Sequence, residues 1–159
     1  MRTIRLAALG LALVIIGGCQ SANADAGQPT ASDGSAFLNQ LVAFARAGDF
    51  NGLCAVGDLN CGSELDIAGR DAVPVAAPRI TESHYVAGSN SNGLQVVGGL
   101  VLSVCGVDGQ QQPYRSQILV FRHGSSLAAI NSVYWDNMTV ADGGAPSTPP
   151  GPPPAQGPC

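Results

Sequence analysis

The chain contains no lysine; its basic residues are seven arginines. Charged residues make up 11% of the 159, well below the usual quarter. The formal charge is −4. That sign argues against nucleic acid, which needs a cationic patch to displace its counterions. Aromatic residues are 5%, with a single tryptophan, and there are two histidines. No apolar run reaches the roughly 20 residues that cross a bilayer as a helix. There is no Gly-x-Ser-x-Gly elbow, phosphate loop, His-Glu-x-x-His helix or Cys-x-x-Cys pair. Nothing therefore announces a hydrolase nucleophile, a nucleotide, a protease zinc or a dithiol redox centre. The 21 glycines and 11 prolines are about a fifth of the chain. That is high, yet below the level that marks a chain as disordered.

The N-terminus is informative. Arg2 and Arg5 precede the uncharged run Leu6–Ile16, which is followed by Gly17, Gly18 and Cys19. A positive start and a short apolar stretch form an export signal, with the arginines retained on the cytoplasmic side. Ile16-Gly17-Gly18-Cys19 resembles the lipobox of bacterial lipoproteins, an aliphatic residue and two small ones before an obligatory cysteine. The resemblance covers residues 1–19. It implies cleavage after Gly18, with diacylglycerol in thioether linkage on Cys19. The other reading is an ordinary secretory signal cleaved near Ser21-Ala22-Asn23-Ala24. In the lipoprotein reading residues 1–18 are lost, and five arginines face eleven acids in what remains. Attachment then comes from the acyl chains, each buried CH₂ contributing about 0.8 kcal/mol, and not from attraction to anionic lipid.

Residues 19–34 are small and polar and read as a tether. Residues 139–159 are rich in proline and glycine and read as a coil without helix or sheet. This tail is either a passive spacer or a reach and docking element; Thr148-Pro149 is a weak O-glycosylation candidate. Asn137-Met138-Thr139 matches the N-glycosylation triplet, read as coincidental in a bacterial envelope.

Residues 35–138 form the globular domain, α+β in class. Phe37, Leu38, Leu41, Val42 and Ala45 make one apolar helical stripe, with Ser32 or Ser35 as start and Gly48 as stop. Asp49 caps a second short helix over 50–56. Residues 57–78 read as irregular. The period then changes to two, predicting antiparallel strands at about 79–87, 94–105, 114–123 and 127–136, with a bulge or bend at Gly98-Gly99. The sheet is expected to be curved and cone-like around the first helix. This element order, and the helix–Gly48-Asp49–helix opening, resemble the cystatin-like/nuclear transport factor 2-like cone. Small envelope lipoproteins of high-GC Gram-positive bacteria often carry such domains.

With Cys19 acylated, Cys54, Cys61, Cys105 and Cys159 are the disulfide candidates, with three connectivities open. Cys54 and Cys61 lie close enough to pair locally. Cys105 can pair with Cys159, or with either helix cysteine. Cys54 and Cys61 with His84 and His123 lack zinc-knuckle spacing, so no metal and no cofactor is expected.

Strand parity places Ile80, Glu82, His84 and Val86 on one side of the first strand. Arg115, Gln117, Leu119, Phe121 and His123 share a side of the third. Leu127, Ala129, Asn131, Val133 and Trp135 share a side of the fourth. Glu82, His84 and Trp135 are the candidate pocket. Tyr134 and Trp135 alternate, so one ring is expected in the core and the other outside it. The favoured function is a non-enzymatic, lipid-anchored envelope domain on the extracytoplasmic face of the cell membrane. Its partners are the membrane, through Cys19, and an envelope protein or the cell wall. A second reading is a carrier of an apolar ligand, using the aliphatic face of Leu94, Val96, Leu100, Leu102 and Val104. A third is a small isomerase- or hydrolase-like enzyme using Glu82, His84 or Asp136 as acid–base groups.

Overall fold

A computed structural model describes residues 27–91, 94–140, 146–147 and 159. Residues 1–26, which hold the run read as an export signal and Cys19, and most of the proline-rich tail, with Thr148-Pro149, lie outside the described residues. The fold is α+β. Helices α1 (Ala31–Arg46), α2 (Phe50–Ala55) and α3 (Cys61–Ala68) precede the strands. Strands β1 (Arg79–Val86), β4 (Gly99–Val107), β5 (Pro113–His123) and β6 (Ser126–Ile130) form one antiparallel sheet in the order β1-β4-β5-β6. Two small hairpins form sheets of their own: β2 (Ser89–Ser91) with β3 (Leu94–Val96), and β7 (Thr139–Val140) with β8 (Pro146–Ser147). The second corrects the reading of residues 139–159 as coil without sheet, since the Val140 amide is held by Gln117 Oε1 on β5.

Helix α1 starts earlier than its serines suggest. Thr30 Oγ1 accepts from the Asp33 amide at 3.1 Å, and Asp33 Oδ2 accepts from the Thr30 amide at 2.9 Å. This reciprocal capping box satisfies two otherwise orphan donors. Ser35 instead donates to Ala31 O from within the helix, at 3.0 Å. The helix therefore begins four residues inside the segment read as tether. At the other end Gly48 adopts φ 68°. The Asp49 amide reaches back to Phe44 O and the Gly48 amide to Ala45 O. This left-handed stop is one that glycine adopts without a Cβ penalty. Asp49 Oδ1 then accepts from the Gly52 amide at 2.8 Å and opens α2.

The apolar stripe of α1 packs on the inner face of the sheet as its period predicts. Phe37, Leu38, Leu41, Val42 and Ala45 share one buried cluster with Leu100, Leu102, Val104, Ile118 and Val120. The predicted second strand is interrupted at its glycine pair. A Cβ on Gly98 would overlap the Gly88 amide, and one on Gly99 would overlap Val120 O. Residues 94–96 pair away with β2, and β4 begins at Gly99. A bulge also lies in β1, where the register shifts between Ile80 and Glu82. Ile80 faces Val104 on the core side, while Glu82 and His84 face Ser103 and Val101 on the outer side. The expected common side for Ile80, Glu82 and His84 is therefore corrected, because one inserted residue reverses the pleat.

Two expectations about the ends of elements also change. Residues 57–78 contain α3, since Pro74 and Pro78 lie beyond its last turn. The fourth strand ends at Ile130 instead of continuing to Asp136. Asn131 takes φ 62° and leads the chain out of the sheet into tight turns.

Candidate functional site

The segment that leaves β6 is the most unusual part of the molecule. Asn131, Ser132, Val133, Tyr134, Trp135 and Asp136 are all buried although none is in a strand. Asn131 and Asn137, both at φ 62°, bound the excursion. Asparagine tolerates this region better than other residues with a Cβ. The excursion serves the edge of β5 that β6 leaves uncovered. Asn131 Nδ2 donates to Gln117 O at 2.7 Å, and the Gln117 amide donates to Met138 O at 2.9 Å. The Arg115 amide donates to Asn137 Oδ1 at 3.0 Å, and the Val140 amide to Gln117 Oε1 at 3.1 Å. These bonds satisfy backbone groups that a longer strand would otherwise have paired.

Helix α3 packs against this segment and is tied to the end of α2 by the Cys54–Cys61 disulfide, with Cα atoms 5.4 Å apart. Its inner face presents Cys61, Leu65 and Glu64. Glu64 is 3% exposed, and both of its carboxyl oxygens lack a hydrogen-bond partner. Tyr114 and Tyr134 hydroxyls, Asn131 Oδ1 and Asp136 Oδ2 are likewise buried without one. The Tyr114 and Tyr134 rings are 6.2 Å apart, and Tyr134 meets Trp135 edge-on at 4.9 Å.

Burial dominates the electrostatics. It pushes the Glu64 carboxyl up to about 8, with the Asp58 and Asp136 charges adding to the rise. Burial raises Asp136 to about 6 against several opposing donors. Of these, the Met138 amide lies 2.9 Å and the Ser116 hydroxyl 3.3 Å from Oδ1. Burial also raises both tyrosines, Tyr134 to about 12. At neutral pH the Glu64 side chain is therefore a neutral acid, able to donate as well as accept. The arrangement is a proton-holding polar core closed off by its own walls, since Glu64 and Asp136 are 3% and 7% exposed.

The candidate trio Glu82, His84 and Trp135 is not brought together. Glu82 and His84 are exposed on the outer face of the edge strand β1. Trp135 is in the core, where its indole nitrogen donates to Gly69 O at 3.2 Å. Both Tyr134 and Trp135 are buried, because a turn places adjacent residues inward where a strand would alternate them. Asp136, an acid–base candidate, is in the cluster. Glu64, the other buried acid of the cluster, is the residue that sequence reasoning missed. Its signal was present: Cys61, Glu64, Leu65 and Ala68 follow helical spacing, closed by Gly69.

Among the connectivities the sequence left open, the structure has Cys54–Cys61 and Cys105–Cys159. Among the described residues no three His, Cys, Asp or Glu side chains form a metal-binding group, and no helix is long and apolar enough to cross a membrane. No protein-family model matches the chain, and no curated protein or solved structure is significantly similar to it.

Proposed function

We propose that the chain is an extracytoplasmic lipoprotein, held at the cell membrane by diacylglycerol on Cys19, whose α+β domain makes non-catalytic contacts with envelope partners. The observation that carries the proposal is Ile16-Gly17-Gly18-Cys19 at the end of a short apolar run behind two arginines. One feature of the fold supports it. The other four cysteines are paired, which suits an oxidising compartment and leaves Cys19 as the odd one.

The continuous packing of α1 against Leu100, Leu102 and Val104 favours this interaction role over carriage of an apolar ligand between helix and sheet. Membrane fractionation of the wild type and of Cys19→Ala tests the anchor. The wild type should sediment with membranes and the variant should appear in the soluble fraction. A membrane-bound variant would overturn the proposal.

A further inference from the structure

The chain is already fixed at Gly27, the first described residue. Arg122 Nε donates to Gly27 O at 2.7 Å, and its terminal nitrogen meets Asp33 Oδ2 at 3.2 Å. Tyr85 donates its hydroxyl proton to Pro29 O at 2.8 Å, and Pro29 is buried. Tyr85 on β1 and Arg122 on β5 sit at the same end of the sheet, since Tyr85 pairs with Leu100 and Leu100 with Val120. The exposed His123–Ser126 turn closes that end. The opposite end carries the Asp108–Gln112 turn. There the Gly109 amide donates to Ala72 O at 2.9 Å, and Gln110 Nε2 donates to Asp71 Oδ2 at 3.1 Å.

Chain length then limits geometry. Seven residues, 20–26, separate Cys19 from Gly27. Fully extended, the eight links from Cys19 to Gly27 reach about 28 Å. The eleven residues of β5 run about 33 Å from one end of the sheet to the other. With the clamp closed, the far turn cannot be brought down to the bilayer, because the clamped end would then stand beyond the reach of the tether.

We propose that this clamp orients the domain on the membrane, with the Tyr85–Arg122 end and the His123–Ser126 turn toward the phospholipid headgroups and the Asp108–Gln112 turn away from them. The inference rests on acylation of Cys19. It leaves the far turn and its neighbours as the end offered to a partner.

Acylated full-length protein in nanodiscs of phosphatidylglycerol and phosphatidylethanolamine, doped with a gadolinium-chelating lipid, tests it by amide relaxation. Enhancement should be several-fold larger at His123–Ser126 than at Asp108–Gln112. An equal or reversed pattern in bound protein overturns the orientation while leaving the anchor intact; failure to co-purify with lipid overturns the anchor itself. Tyr85→Phe combined with Arg122→Gln alters two partly exposed groups and frees Gly27–Pro29. The tether to Thr30 then spans about 38 Å, enough for inversion. The gradient should flatten in this variant, and an unchanged gradient would remove the clamp as its cause.

Discussion

Replacing Glu64 with glutamine removes a buried carboxyl whose charge the fold disfavours, and the effect should depend on pH in a defined way. In the unfolded chain this carboxyl ionises near its ordinary 4.5; in the folded state it holds its proton to about 8. Between these values the folded state binds more protons than the unfolded one, so stability falls as pH rises and levels off above about 8. At 1.36 kcal/mol per pH unit, the full window sets a ceiling of about 5 kcal/mol. Relaxation and water entry reduce such penalties in real proteins, and about 2 kcal/mol is the working expectation. Glutamine keeps the shape and the hydrogen-bonding capacity without the charge. At pH 8, Glu64→Gln should therefore raise the melting temperature by about 10 °C, taking 4–8 °C per kcal/mol for a domain of this size. At pH 5 the two proteins should melt nearly together. Scanning calorimetry from pH 5 to 9 reads both curves. A wild-type profile that is flat between pH 6 and 8, or a variant less stable than wild type at pH 8, would refute the reasoning.

Asp136 has its own window, from 3.8 to about 6; the stability lost there as pH rises should shrink in Asp136→Asn to the part that Glu64 contributes above 4.5, and should persist in Glu64→Gln. Leu41→Ala, at a position with no exposure in the core, should lower stability by about 2–5 kcal/mol in urea titration. Thr30→Ala breaks the capping box and should cost about 1 kcal/mol, with faster amide exchange in the first turn of α1. Non-reducing peptide mapping should recover Cys54–Cys61 and Cys105–Cys159. Replacing Cys105 and Cys159 together should destabilise by about 4 kcal/mol through the longer loop, against about 2.5 for the shorter one.

What the sequence made legible was set by periodicity. The stripe from Phe37 to Ala45 is a helix with one buried face because 3.6-residue spacing permits no other burial. The apolar, β-branched-rich runs at 99–107 and 113–123, bounded by turn residues, read as strands and are strands. Where the reading failed, backbone events had no side-chain signature. The bulge after Ile80 reversed the sides of Glu82 and His84 and dismantled the expected pocket. Alternation continued on paper through Val133 and Trp135, but Asn131 at φ 62° turned the chain and buried both neighbouring rings. Helix α3 is eight residues long, too short for its pattern to compete with the prolines that follow it. Glu64 was lost with it, and so was half of the buried acid cluster.

The lipid anchor is the claim on which the function and the orientation both depend. Because the chain has no lysine and Arg46 is the first arginine after Cys19, trypsin should release residues 19–46 as the N-terminal peptide of a protein cleaved after Gly18. Mass spectrometry of that peptide, from protein extracted from its own membrane, should show Cys19 at the N-terminus carrying a diacylglyceryl group. A peptide that begins at another residue, or one in which Cys19 retains an unmodified thiol, would contradict the account.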